Sequence, residues 1–195
     1  MKTMHMWLPS AVCYGLCFTA GAFAIGCVTE DQRDEIESSA SSAIVLDVNA
    51  AYTIVGVQSG KCVGVVGEST SSEAAVELET CRGVASQRFQ PSPTDGGFFQ
   101  LRNELSGLCL DVSHISRADG APVIQFACKT SLNQQWSFTD VGAGAERITA
   151  RHSGKVLDVN QASIADGAVI QQWTSTNGTN QQFRLNKALA AIAPE

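Results

Sequence analysis

Residues 99–138 read FQLRNELSGLCLDVSHISRADGAPVIQFACKTSLNQQWSF, and this stretch decides the fold. Its apolar and alternating runs are short, and turn-like segments rich in Gly, Asp, Ser and Asn separate them. The four runs are Phe98–Asn103, which begins one residue before the stretch, Cys109–Val112, Pro122–Phe126 and Gln135–Phe138. None has the apolar spacing of an amphipathic helix of ten residues or more. The stretch therefore predicts four short β-strands.

The same pattern occurs three times, with 47 residues between equivalent positions and no insertion. The residues that repeat at this spacing are Gly60, Gly107 and Gly154, then Gln87, Gln134 and Gln181, then Phe89, Trp136 and Phe183. Three near-equal units of four strands predict an all-β domain of twelve short strands. Closure around a pseudo-threefold axis is favoured, because it leaves no sheet edge exposed. The three aromatic positions are predicted to pack in the core.

Four cysteines lie at equivalent points of the first two repeats, and the two of each repeat are 19 residues apart. The third repeat has Val156 and Ser175 at those points, so both cysteines are absent together. A paired loss is expected if the two cysteines of a repeat bond to each other in an oxidising compartment. Metal ligation is the alternative, which the lack of a close C-x-x-C pair disfavours, and no metal site is predicted. The predicted disulfides are Cys62–Cys81 and Cys109–Cys128.

The N-terminal residues have the features of an export signal. Lys2 precedes an uncharged, largely apolar run from Met6 to Ile25 that ends in small residues. The segment Ala24-Ile25-Gly26-Cys27 resembles the bacterial lipobox. It predicts a lipoprotein signal peptide over 1–26, lipidation of Cys27 and a membrane-anchored protein of the cell envelope.

Two alternatives remain for this segment. Ala22-Phe23-Ala24 fits ordinary signal cleavage, which would release a secreted protein. An uncleaved membrane anchor is the other, since the run approaches the ~20 residues that span a bilayer. Residues 27–50 are acidic and then rich in Ser and Ala, which predicts a flexible linker. Residues 187–195 are predicted to be a C-terminal tail.

Charge and motif content exclude several function classes. The chain has 13 Lys and Arg against 19 Asp and Glu, a formal net charge of −6, and no basic cluster. Nucleic-acid binding is therefore not expected, because few phosphate counterions could be released. No G-x-S-x-G, H-E-x-x-H or phosphate-binding glycine loop is present. The sequence predicts neither an enzyme nor a cofactor.

The repeats resemble the ricin B-chain-type lectin domain, also called the QxW repeat or family-13 carbohydrate-binding module, which is a β-trefoil. The motifs that carry the resemblance are Ser106–Val112, Asp119–Cys128 and Asn133–Trp136, with near copies in the third repeat. The resemblance covers residues 51–186. It implies a non-catalytic lectin, a monomer that binds galactose- or xylose-type sugars. Polysaccharides or other multivalent ligands are favoured, because two shallow pockets on one body gain from avidity.

In this family an Asp accepts hydrogen bonds from sugar hydroxyls and an aromatic ring stacks on the sugar. A Gln two residues before the aromatic and an Asn-Gln pair near the end of the repeat complete the pocket. The resemblance places a full set in the third repeat: Asp158, Gln171, Trp173, Asn180 and Gln181. The second repeat has Asp111, Phe126, Asn133 and Gln134, with Ile124 at the Gln position. The first has Gly64, Glu79 and Ser86 in place of Asp, aromatic and Asn, which predicts a lost site.

Two functions of other classes stay open at this point. A β-trefoil can act through its loops as a protein-binding module or a protease inhibitor. The chain could also be a targeting subunit that brings a separate polysaccharide-degrading enzyme to its substrate. Asp119 and Asp166, each before a glycine, are predicted to be turn residues rather than sugar ligands.

Overall fold

The structure is a computed structural model that describes residues 44–188. The predicted signal peptide over 1–26, the lipidation site Cys27 and most of the predicted linker and tail lie outside these residues. Within them, there is no helix whose length and apolar character would suffice to cross a membrane.

Twelve strands of four to six residues follow one another, joined by turns and single turns of 3₁₀ helix. In the first repeat they are β1 Tyr52–Gly56, β2 Cys62–Val65, β3 Val76–Glu79 and β4 Arg88–Pro93. In the second they are β5 Phe99–Asn103, β6 Cys109–Val112, β7 Ala121–Phe126 and β8 Trp136–Asp140. In the third they are β9 Glu146–Ala150, β10 Val156–Val159, β11 Ile170–Trp173 and β12 Phe183–Lys187.

The first and fourth strands of the three repeats close into a six-stranded barrel. Its antiparallel pairs run β1–β4, β4–β5, β5–β8, β8–β9, β9–β12 and β12–β1. The second and third strands form three hairpins, β2–β3, β6–β7 and β10–β11. The hairpins are linked in a triangle by the β7–β11 pairing and the bridges Ala75–Ile124 and Glu77–Val169. This is a β-trefoil, and it confirms the predicted all-β fold of twelve strands.

The three aromatic residues that recur at the 47-residue spacing lie in the core. Phe89, Trp136 and Phe183 are fully buried, each at the start of the last strand of its repeat. They belong to one apolar cluster with the barrel residues Ile54 and Ile148. Burial of one such side chain contributes about 1.5–3 kcal/mol. The prediction that these aromatics serve the core is confirmed.

Two kinds of link join the ends of the hairpins. The structure contains the disulfides Cys62–Cys81 and Cys109–Cys128, as predicted. Asp119 and Asp166 lie in turns, as predicted, but their carboxylates also reach the neighbouring repeat. Asp119 Oδ1 lies 2.6 Å from Lys155 Nζ, and Asp166 Oδ1 lies 2.8 Å from Lys61 Nζ. These ion pairs therefore connect a turn of one hairpin to the next hairpin.

Glu146, at the start of β9, is a buried carboxyl that the fold does not satisfy. Its side chain is buried, its Oε2 atom has no hydrogen-bond partner, and Asp140 lies opposite it in the β8–β9 pairing. Burial raises the pKa of Glu146, and the Asp140 charge raises it further. The folded protein therefore holds this proton more tightly than the unfolded chain does.

We expect Glu146→Gln to raise the melting temperature at pH 7 and to leave it nearly unchanged near pH 4. A raised carboxyl pKa in the folded state makes stability fall as pH rises through the interval above the ordinary value of 4.5. Glutamine does not ionise, so the Glu146→Gln variant does not lose stability over this pH interval. Thermal unfolding at both pH values measures the effect, and Glu73→Gln, at an exposed position, is the control. An equal shift at both pH values would contradict this explanation.

Candidate functional site

The described part of the third repeat contains a concave pocket of about 240 Å³ between β10, β11 and the segment that leads into β12. All five residues that the resemblance assigned to this repeat line it. The lining residues are Asp158, Asn160, Gln161, Ala162, Gln171, Trp173, Thr176, Asn180 and Gln181. In the β10–β11 register, Asp158 lies opposite Gln171, and Trp173 lies opposite Val156. Because alternate residues of a strand share a face, Asp158 and Trp173 project to the same side of the hairpin.

Asp158 is buried on the floor of this pocket and is held by three side-chain amides. Its Oδ1 accepts from Gln171 Nε2 at 2.8 Å. Its Oδ2 accepts from Asn180 Nδ2 at 2.8 Å and from Gln181 Nε2 at 2.9 Å. An ionised carboxylate has about four lone-pair sites, so about one is left for a ligand. A ligand that donates two hydroxyls to Asp158 must therefore displace one amide, which is then free to bind the same ligand.

Gln181 differs from Gln171 and Asn180 because both the nitrogen and the oxygen of its side-chain amide form hydrogen bonds within the protein. Its Nε2 also donates to the Thr174 carbonyl at 3.2 Å, and its Oε1 accepts from the Thr176 N–H at 2.8 Å. Gln134 makes the equivalent bonds to Asp111, Ala127 and Lys129 in the second repeat. These two glutamines are buried. Their contribution to a pocket is to orient the carboxylate and the chain that follows the third strand.

Trp173 forms the apolar wall of the third-repeat pocket. Trp173 is 39% exposed, whereas Trp136 is fully buried. Gly120, at φ +80°, lies against the indole, and a Cβ there would be 3.5 Å from Trp173 Cζ3. The next residue is fixed, since the Thr174 N–H donates to Asp119 Oδ1 at 2.7 Å. A tryptophan held in place with its ring in solvent provides a rigid apolar surface for a ligand.

The second repeat has a related arrangement with fewer donors. Gln134 Nε2 donates to Asp111 Oδ2 at 2.8 Å, and Asn133 Nδ2 donates to the Val112 carbonyl at 3.0 Å. Ile124 lies opposite Asp111 in the β6–β7 register, so the donor that Gln171 supplies in the third repeat is missing. Burial raises the pKa of the Asp111 carboxyl, against the lowering effect of the Gln134 and Asn133 amides. Asp111 is therefore a partly satisfied carboxylate, and it shares a face of the β6–β7 hairpin with Phe126, which lies two residues beyond Ile124.

The first repeat keeps a carboxylate, although Gly64 has no side chain. Glu79, at the aromatic position of β3, bends over Gly64, and Gln87 Nε2 donates to Glu79 Oε2 at 3.0 Å. A Cβ on Gly64 would be 2.7 Å from that oxygen. Arg82 binds Glu68 at 2.9 Å and lies 3.7 Å from Glu79. The place of an aromatic wall is thus taken by charged side chains that are paired with each other.

Sequence reasoning missed four lining residues of the third pocket, namely Asn160, Gln161, Ala162 and Thr176. The 47-residue register could have indicated them, because it also gives their counterparts in the other repeats. Among residues 44–188 there is no group of three His, Cys, Asp or Glu side chains that could hold a metal ion. The pocket itself offers a carboxylate held by side-chain amides and an exposed aromatic face.

Comparison with known proteins gives one family and many solved structures of the same fold. The family model for the ricin-type β-trefoil lectin domain matches residues 50–183. A search of curated proteins finds no match. The designed threefold-symmetric protein ThreeFoil is 40% identical, with a TM-score of 0.69, over 72% of this chain and 99% of its own.

Two natural proteins extend the comparison. The exo-β-1,3-galactanase 1,3Gal43A from Clostridium thermocellum is 37% identical, with a TM-score of 0.70, over 74% of this chain. The match spans only 31% of the galactanase chain. The Macrolepiota procera ricin B-like lectin, solved in complex with lactose, is 18% identical, with a TM-score of 0.62. That match covers 73% of this chain and 99% of the lectin, and at this identity it shows the fold alone.

Proposed function

Because the chain belongs to the ricin-type β-trefoil lectin family, we propose that it is a non-catalytic lectin whose main sugar-binding pocket lies in the third repeat. The observation that carries the proposal is the pairing of a buried, amide-held Asp158 with the exposed Trp173 ring on one face of a hairpin. A protein core does not require either feature. A buried carboxylate costs stability, and an exposed tryptophan forgoes burial.

This geometry matches the two-sided chemistry of a pyranose. Such a sugar has hydroxyls that donate hydrogen bonds and a patch of C–H groups that packs on an aromatic ring. Asp158 would accept from vicinal hydroxyls in charge-assisted bonds, which are stronger than neutral ones. Gln171 or Asn180, once displaced from the carboxylate, would donate to ligand oxygens. Galactose- and xylose-type sugars offer this combination.

The second-repeat pocket, formed around Asp111 and Phe126, is proposed as a second site on the same rigid body. Two sites favour a polysaccharide or glycoconjugate over a free monosaccharide, since a multivalent ligand can gain about 10²–10⁴ in avidity. Export to the bacterial cell envelope with a lipid on Cys27 belongs to this proposal, with secretion as the alternative. Many copies anchored at one surface would add further avidity.

Trp173→Ala is expected to reduce sugar binding about 30-fold or more, since it removes the burial of one aromatic face, worth about 2 kcal/mol. The measurement is a screen of the protein, with its disulfides intact, on arrays of glycans and soluble polysaccharides. Ile164→Ala, another exposed apolar residue of the third repeat, is the matched control and should bind as the unaltered protein does. Full binding by the Trp173 variant would contradict the proposed site. A folded protein that binds no glycan would favour a protein-binding module or protease inhibitor instead.

The similarity to part of the galactanase 1,3Gal43A favours a second candidate, a targeting subunit for a separate polysaccharide-degrading enzyme. This function also requires the sugar pocket, so glycan arrays cannot distinguish it from a free-standing lectin. Pull-down of secreted hydrolases with the intact protein can distinguish the two functions. A hydrolase captured equally by the Trp173→Ala variant would support targeting through protein contacts, and no captured hydrolase would argue against it.

A further inference from the structure

One position of the repeat, three residues after the aromatic, differs in charge between the pockets. It is occupied by Arg82, Lys129 and Thr176. In each repeat its backbone N–H donates to the Oε1 of the buried glutamine, at 2.8, 2.7 and 2.8 Å. The three side chains therefore start from equivalent points. Because Thr176 lines the third-repeat pocket, the repeat places Lys129 at the equivalent point of the second repeat, directly after β7.

Lys129 extends over the surface on which a sugar would stack. Its Nζ lies 4.7 Å from the centroid of the Phe126 ring. Its carbonyl is also fixed, since Gln100 Nε2 donates to it at 2.6 Å. The N–H and the carbonyl of Lys129 are thus both hydrogen-bonded, whereas its side chain is exposed.

The ammonium of Lys129 has no carboxylate partner among the ion pairs of residues 44–188. By contrast, Arg82 at the equivalent point of the first repeat is paired with Glu68 and Glu79. Two acidic residues lie on or beside the β6–β7 hairpin. Asp111 lies opposite Ile124, and Glu73 is exposed on a turn, where its N–H donates to the Gln125 carbonyl of β7. Neither neutralises Lys129 by direct contact.

We propose that the second-repeat pocket binds carboxylated sugars, such as uronic acids, whose carboxylate pairs with Lys129 while Asp111 accepts a ligand hydroxyl and Phe126 stacks on the ring. The third-repeat pocket, with the neutral Thr176, takes uncharged sugars. This inference rests on the proposed lectin function and divides it between two pockets. The two sites together would select a polysaccharide that carries both neutral and acidic residues.

The test uses Trp173→Ala, which silences the third pocket at an exposed residue and leaves Asp111, Phe126 and Lys129 intact. Galactose and galacturonic acid form one pair of ligands, and xylose and glucuronic acid form the other. Within each pair the ring configuration is the same, and the acid carries a carboxylate on C5. Binding is measured by NMR titration of the backbone amides of residues 126–129.

We expect each acid to bind about tenfold tighter than its neutral counterpart, as a hydrogen bond between charged groups allows. The preference should be retained in Lys129→Arg, lost in Lys129→Thr and weakened at 0.5 M salt. Equal affinities within both pairs, a preference unchanged in Lys129→Thr, or no binding of any of the four sugars would overturn the inference. Neutral-sugar binding that depends on Trp173 in the unaltered protein would still support the proposed function, so the two can fail separately.

Discussion

Asp158→Asn is expected to lower the affinity of the third-repeat pocket for neutral sugars at least 100-fold. The substitution replaces one acceptor oxygen by an NH₂ group among three amide donors, Gln171, Asn180 and Gln181. It also removes the charge that strengthens each bond to a sugar hydroxyl. Hydrogen bonds to charged groups contribute about 1.5–3 kcal/mol each, so the loss of two accounts for a 100-fold decrease. Isothermal titration with a neutral oligosaccharide that the array identifies measures the effect.

Asp111→Asn, the same change at the equivalent position of the second repeat, is the matched control. It should leave neutral-sugar affinity unchanged if the third repeat holds the main pocket. Because an amide donor near residue 158 loses its partner, Asp158→Asn is also expected to lower the free energy of unfolding by about 1–3 kcal/mol. Titrations are therefore made well below the melting temperature of the variant. Equal losses of neutral-sugar affinity in the two variants would show that neutral and acidic sugars are not divided between the two pockets as proposed.

The fold could be predicted because its determinants are periodic. Spacing alone places Phe89, Trp136 and Phe183 at one point of three repeats, and the structure buries all three. Turn residues and short apolar runs limit each strand to a few residues. A threefold repeat predicts closure, because a closed arrangement buries a continuous core and leaves no free sheet edge. The strands and the core therefore depend on the positions of residues along the chain and on few details of side-chain contact.

The details of the pockets depend on how side chains reach across strands, and spacing does not contain that information. Gly64 alone predicts the loss of a carboxylate, yet Glu79 supplies one from the facing strand. Glu79 lies opposite Cys62 in the β2–β3 register, and its side chain is long enough to reach over the bare backbone two residues further along. The position of Lys129 over Phe126 likewise depends on the rotamer and the length of the lysine side chain. Such side-chain placements can be recognised only when the strand register and the directions of the side chains are both known.

Removal of either disulfide is expected to lower the free energy of unfolding by about 3 kcal/mol. Each bridge closes a loop with a sequence separation of 19 residues, and loops of this size restrict the unfolded chain by about that amount. A loss of 3 kcal/mol corresponds to about 10 °C in melting temperature for a domain of this size. Loss of both bridges, about 6 kcal/mol, is comparable to the total stability of many domains.

The variants are Cys62→Ala/Cys81→Ala and Cys109→Ala/Cys128→Ala, studied by thermal unfolding. The third repeat tolerates the absence of a bridge, with Val156 buried where the others have a cysteine and Lys155 Nζ bound to Asp119. A disulfide therefore stabilises the fold through the unfolded state more than through a contact that the hairpin needs. On this account the first pair of substitutions should lower the melting temperature and leave both sugar affinities unchanged. The second pair should lower it equally and in addition weaken the second-repeat pocket, because Cys128 immediately precedes Lys129. A melting temperature unchanged by either pair would refute the stabilising role assigned to the bridges.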